Sequence, residues 1–234
     1  MKKQKQKKIR VPREKRINDI LLGPLERPAL QWFCKHMPAW VTPDLLTGIG
    51  VGGAALMTLG YALSNQDKNF LWLVNLGIFI NWFGDSLDGS LARYRKIERP
   101  IYGFFVDHVF DAIGQVLAFI GLILSPYVRP EIAVLALTVY LLMDVLVLAR
   151  MSASGVFKIS YGKIGPTEVR TIIFLINVVL YFWNPTFATP LGPISILDIV
   201  LGIVGTIFVF VFLGSALRTA HKLRDIDQQP KTQE

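Results

Sequence analysis

At 234 residues, 52% of them hydrophobic, with a mean hydropathy of +0.44, the chain reads as one membrane domain, and a soluble basic protein is excluded despite the net charge of +8. The single cysteine, Cys34, excludes an internal disulfide framework and any multi-cysteine metal site. The N-terminus is too charged for a secretory signal, so no cleaved leader is expected.

Residues 1–16 carry nine Lys or Arg against one acid, Glu14, and read as a solvated basic arm drawn to anionic lipid. Residues 17–40 mix Ile20, Leu21, Leu22, Leu25, Leu30, Trp32, Phe33 and Trp40 with Glu26, Arg27 and Lys35. That pattern predicts an interfacial amphipathic helix, interrupted near Pro24 and Pro28. Cys34 within it reads as a small apolar residue, with S-palmitoylation the lesser alternative.

Residues 41–218 predict an all-α, polytopic membrane domain of six transmembrane helices: about Asp44 to Leu63, Phe70 to Ala92, Phe104 to Leu124, Glu131 to Met151, Val169 to Trp183 and Ile194 to Leu217. The fifth span is the shortest. Thr42-Pro43-Asp44 opens the first span as N-cap, first helical residue and dipole-favoured acid. The glycines and alanines from Gly48 to Ala55 give that helix a smooth side for close packing or ligand approach. Pro100 marks a hinge in a basic loop before the third span. Thr167 is the expected N-cap of the fifth. Residues 219–234 form a tail that continues the last helix into water.

Of 25 Lys and Arg, only Lys68 and Arg129 fall in connections assigned to the far side. By the positive-inside rule, both termini then face the cytoplasm. The positive charge is a topology and lipid-surface signal, and nucleic acid is not an expected partner.

The chemistry concentrates at Asp85-x2-Asp88-Gly89-x2-Ala92-Arg93-x9-Gly103-x3-Asp107-x3-Asp111. A carboxylate at the centre of a membrane helix costs roughly 2.5–3.5 kcal/mol, so four of them near a bilayer call for a compensating cation. Positions 85, 88, 89, 92 and 93 share one helical face, and 103, 107 and 111 form one stripe on the next helix. Two such faces turned together make an oxygen-rich cleft suited to Mg²⁺ or Mn²⁺, with Ca²⁺ able to occupy it. His108 points off the stripe and reads as a packing residue. Asp144 is either a site residue or a structural hydrogen-bonding group to a neighbouring helix. Asp198 lies on the far side and is left out of the site.

These eight positions over 27 residues resemble the signature of the CDP-alcohol phosphotransferase (CDP-alcohol phosphatidyltransferase) family, with a nine-residue gap between Arg93 and Gly103 at the long end of its pattern. The resemblance is best from Trp40 to Val116 and looser to Arg170. It implies a membrane enzyme of phospholipid synthesis that transfers a substituted phosphate from a CDP-linked donor, CDP-diacylglycerol or a CDP-amino-alcohol, to an acceptor alcohol and releases CMP. It further implies that Asp85, Asp88, Asp107 and Asp111 hold one or two divalent ions and that Asp111 takes the acceptor's proton. Asp88, Gly89, Ala92, Arg93 and Gly103 would receive the donor's nucleotide and diphosphate, and the protein would be a homodimer. Arg150, Lys158, Lys163 and Arg170 are the basic candidates for an acceptor pocket. Gly165-Pro166-Thr167-Glu168 is similar to a stretch of the choline and ethanolamine branch, which offers Glu168 to a cationic alcohol. The competing class is a divalent metal or ion transporter using intramembrane carboxylates. It predicts acids near the midplane in broken helices or inverted repeats, neither of which is visible, and Arg93 on the same face opposes cation passage.

Overall fold

A computed structural model describes residues 21–154, 165–190 and 192–227. The basic arm, residues 17–20, Lys158, Lys163 and residues 228–234 lie outside the described residues. Seven helices follow in order among those described: α1 (Gly23–His36), α2 (Pro43–Leu63), α3 (Phe70–Tyr94), α4 (Pro100–Leu124), α5 (Pro130–Ser154), α6 (Pro166–Phe182) and α7 (Ile196–Asp227). A short antiparallel hairpin, β1 (Thr186–Thr189) with β2 (Gly192–Ser195), joins α6 to α7.

Proline sets most of the helix starts. Pro43, Pro100, Pro130 and Pro166 each occupy the first position of a helix, where the missing N–H would have had no intrahelical partner and φ is already helical. Thr42 caps α2 by accepting the Leu45 N–H at 3.2 Å, as its sequence predicts. Two expectations are corrected by the same rule. Pro100 starts α4 instead of acting as a loop hinge, and Gly165, not Thr167, is the N-cap of α6 because Pro166 takes the first helical position. The expected break in α1 is also absent. Pro24 lies in its first turn, and Pro28 finds only the Pro24 carbonyl at its back, so little of the hydrogen-bond ladder is lost.

The hairpin is an addition to the all-α expectation. Gly192, at φ +102°, supplies the left-handed residue that leads into its second strand. Beside it, Ser195 and Asp198 cap α7 reciprocally, and Asp198 also accepts the Arg129 N–H at 2.7 Å. This end-locking role accounts for Asp198 without invoking the site.

Five helices, α2, α3, α4, α5 and α7, are long and apolar enough to cross a membrane by length and composition, which makes the chain a polytopic membrane protein. The six expected spans are thus matched by five. The segment expected as the fifth span is α6, whose 17 residues rise only about 26 Å.

Helix α2 packs against both α3 and α4, α6 lies on α3, and α5 stands between α4 and α7. Small residues permit the α2–α3 approach, since a Cβ placed on Gly53 or Gly84 would collide with the opposing backbone. Below the crossing, Tyr61 donates to Asn177 Oδ1 at 2.8 Å and Asn177 Nδ2 donates to Asn75 Oδ1 at 2.9 Å, joining α2, α6 and α3 through buried polar atoms. Gly84→Ala is expected to force α2 from α3 and cost about 1–3 kcal/mol, read as a lower thermal midpoint in detergent. Gly52→Ala, whose new Cβ meets nothing within 4 Å, is expected to leave the midpoint unchanged.

Helix α1 lies on α3, with Phe33 edge-on to Phe83 at 5.2 Å and Cys34 buried at 3% exposure. Burial pushes the Cys34 thiol up, partly offset by Arg93 and Arg95, so it behaves as a packing residue and not as a reactive thiol. Leu25 and Trp32 on the same helix, and Leu21 just before it, stay exposed.

Candidate functional site

The last three turns of α3 carry Asp85, Asp88, Gly89, Ala92 and Arg93 along one face, and the helix then stops abruptly. Lys96 adopts the left-handed conformation at φ 57°, while Ile97 N–H bonds to Ala92 O at 3.0 Å and Lys96 N–H to Arg93 O at 3.1 Å, a Schellman closure. This turn delivers the chain through five residues into Pro100 and places Gly103, Asp107 and Asp111 opposite. Their stripe continues down α4 to Gly114 and Gly121, which rest on Ala54 and Thr58 of α2. Hence the acidic stripe of α4 is also the stripe that packs on α2, and α2 forms the floor between the two acidic faces.

Carboxylate oxygens of Asp85, Asp107 and Asp111 all lie within 4.8 Å of one another. Hard cations take oxygen ligands at about 2.0–2.6 Å, so oxygens up to about 4–5 Å apart suit a single ion, and an all-oxygen set suits Mg²⁺, Mn²⁺ or Ca²⁺. The three acids fit such an ion. They line a recess of about 20 Å³ together with Thr47, Gly50, Asn81 and Asp88. That size suits one small occupant.

Asp88 stands at the junction of this recess and a much larger cavity. It accepts the Thr47 hydroxyl at 2.7 Å and the Gly89 N–H on its two oxygens, which fixes its plane. The larger cavity, about 940 Å³, is lined by Asp88, Gly89, Ala92, Arg93, Gly103 and Asp107 among others. A Cβ on Gly89 would press on the Arg93 guanidinium at 3.2 Å, whereas one on Gly103 would meet nothing within 4 Å and project into open space. At the rim, Arg99 pairs with Asp44 and lies 4.2 Å over the Tyr102 ring. Arg95 caps the chain after α1 by donating to the Met37, Pro38 and Val41 carbonyls.

All eight signature positions therefore border the two adjoining spaces. Of the candidate acceptor residues, Arg150, Glu168 and Arg170 are described. Arg150 donates to both oxygens of Ser215 on α7. Glu168, only 5% exposed, accepts the Leu22 N–H at 2.7 Å and the Gly165 N–H at 2.9 Å, so it caps α6 and fastens α1. Arg170 pairs with Asp85 at 2.8 Å. His108 donates through Nδ1 to Phe104 O at 2.9 Å and stacks on that ring, in keeping with a packing role. Asp144 on α5 stands beside Gln115 of α4, and one of its buried oxygens has no hydrogen-bond partner among the described residues. Sequence reading missed Thr47 and Asn81. Asn81 stands one turn before Asp85 on the same face, a signal that was available, whereas the Thr47 contact spans 41 residues and needs the packing of α2 on α3.

A model of the CDP-alcohol phosphatidyltransferase family matches residues 40–215. The phosphatidylinositol phosphate synthase of Cutibacterium acnes is 41% identical over 87 residues, covering 37% of this chain and 39% of that protein. Cholinephosphotransferase 1 of Bos taurus is 26% identical over 197 residues, 77% of this chain and 48% of that protein. The human cholinephosphotransferase 1 is 25% identical over 203 residues, 82% and 48%. The chain thus spans half or less of the length of each of these relatives. The family match begins just before the cap of α2 and runs through most of α7, taking in both acidic faces and their floor, and this chain belongs to the CDP-alcohol phosphatidyltransferase family.

Proposed function

We propose that this protein is a phospholipid-synthesis enzyme that transfers a substituted phosphate from a CDP-linked donor, CDP-diacylglycerol or a CDP-amino-alcohol, to an acceptor alcohol with release of CMP. The observation that carries the proposal is the convergence of Asp85, Asp107 and Asp111 beside a cavity bordered by Asp88, Gly89 and Arg93. Asp85, Asp88, Asp107 and Asp111 would hold one or two Mg²⁺ or Mn²⁺ ions, which when bound neutralise diphosphate charge as phosphorus is attacked.

The chain's own residues supply the rest. Arg93 grips phosphate oxygens through its planar fork. Gly89, Ala92 and Gly103 leave the wall low enough for ribose and diphosphate to lie against α3 and α4. Asp111 accepts the proton of the acceptor hydroxyl as the new oxygen–phosphorus bond forms and the bond to CMP breaks. The recess around the acids admits little more than a small occupant, so the nucleotide belongs in the larger cavity.

In this reading residues 41–218 are the catalytic membrane domain, flanked by the basic arm (1–16), the interfacial helix segment (17–40) and the tail (219–234). Helix α6 makes the sixth crossing, tilted less or thinning the bilayer locally, and the exposed Leu25 and Trp32 of α1, with Leu21 just before it, lie in the lipid interface. Both termini and the cavity mouth face the cytoplasm, where the lysines and arginines gather. The enzyme works as a homodimer.

Purified full-length protein in nanodiscs, offered each CDP-linked donor with a panel of alcohols, is expected to release CMP with Mg²⁺ or Mn²⁺ and to stop when the ions are chelated. No CMP from any donor, with metal flux in liposomes instead, overturns the proposal in favour of transport.

A further inference from the structure

Arg170 reaches the acidic site from α6, an element outside both signature helices, and its contacts are unusually constrained. Its Nη2 donates to Asp85 Oδ2 at 2.8 Å while its Nε donates to Asn81 Oδ1 at 2.9 Å. The Asn81 amide is itself oriented, because its Nδ2 donates to Gly50 O at 2.9 Å. A line of hydrogen bonds therefore runs from the α2 backbone through Asn81 and Arg170 to one oxygen of Asp85.

The first turn of α6 is held in place from behind. Glu26 Oε1 on α1 accepts the Thr167 hydroxyl at 2.8 Å, the Trp82 indole N–H at 2.9 Å and the Ser86 hydroxyl at 3.0 Å. Ser86 is the neighbour of Asp85, and Thr167 lies one turn before Arg170. One carboxylate thus ties α3 and α6 together directly behind the ion pair, and Glu168 adds its own bond to Leu22 of α1.

We propose that Arg170 is a positioning residue: with Asn81 it fixes the carboxylate of Asp85 so that Asp85 serves the divalent cation in a single orientation. The inference rests on the reading of Asp85 as a ligand. It makes a prediction opposite in sign to simple electrostatics. A cation beside a metal ligand repels the metal, so removing Arg170 would tighten metal binding if charge alone mattered. If orientation dominates, removal weakens it. Lysine keeps the charge but offers a point donor that does not span Asn81 and Asp85 together.

The test is Mn²⁺ affinity, read by electron paramagnetic resonance on the purified full chain without nucleotide, alongside CMP release at rising Mn²⁺. Outer partners of metal ligands typically matter by 10–100-fold, so Arg170→Lys and Arg170→Gln are expected to weaken Mn²⁺ about 10–100-fold and Asn81→Ala about 10-fold. Excess Mn²⁺ is expected to restore CMP release in Arg170→Lys but not in Asp85→Asn. Wild-type affinity in Arg170→Lys, or tighter binding in Arg170→Gln, overturns the proposal. Should the Arg170 variants fail to fold, Asn81→Ala decides, and wild-type affinity there overturns it equally. Wild-type protein with no Mn²⁺ binding that Asp85→Asn removes would instead overturn the underlying reading of the acidic site, a result visible before any Arg170 variant is made.

Discussion

Asp111→Asn is expected to lower CMP release by about 10²–10⁴-fold at saturating metal while leaving the donor bound. The substitution keeps shape and one side-chain oxygen but removes the group proposed to receive the acceptor's proton. Asp111 belongs to the converging trio yet does not line the larger cavity, so the nucleotide loses no contact there. Turnover and donor affinity should therefore separate. Stopped assays for CMP, paired with equilibrium binding of a CDP-linked donor, check this. Near-normal turnover would move the base elsewhere.

Asp88→Ala is expected to behave differently, weakening metal and donor together by more than about 100-fold. Its carboxylate borders both spaces, as Asp107 does, and is held on two sides, by Thr47 and by the Gly89 N–H. Truncation removes a charge from the recess and frees the Thr47 hydroxyl where the diphosphate is proposed to lie. Partners of metal ligands already cost 10–100-fold, and loss of a ligand itself should exceed that. Titrating metal at fixed donor, then donor at fixed metal, should show both constants moving. Loss of donor binding with unchanged metal affinity would make Asp88 a nucleotide contact only.

What could be read from the sequence follows the range of each signal. The acidic faces were legible because helical spacing is local: 85, 88 and 89 must share a side whatever the helix packs on. The cap at Thr42 was equally local. Helix ends near proline were misjudged at Pro100 and Thr167 because Pro166 and Pro100 start helices more readily than they hinge loops. The acceptor candidates were the least legible. A charged residue in the sequence tells nothing of its partner, and Arg150, Glu168 and Arg170 find theirs on Ser215, Leu22 and Asp85, between 65 and 146 residues away. The fifth span was hard to read for a similar reason. Helix α6 is short in apolar length, and its place is set by packing on α3 through Asn177, a contact no hydropathy window contains.

Seen physically, the site depends on glycine at the α2–α3 crossing as much as on aspartate. Gly50, Gly53 and Gly84 let two backbones meet closely enough for Thr47 to reach Asp88 and Asn81 to reach Gly50. With larger residues there, the same acids would stand on separated helices and gain nothing from one another.

If the acids of α3 and α4 share one cation beside a bound CDP group, an experimental structure of the protein with Mn²⁺ and CDP, read at the manganese absorption edge, decides the matter. The expected result is an anomalous peak among Asp85, Asp107 and Asp111, with the diphosphate against it and the cytidine in the cavity walled by Gly89 and Gly103. A peak elsewhere, or CDP seated away from these carboxylates, would contradict it.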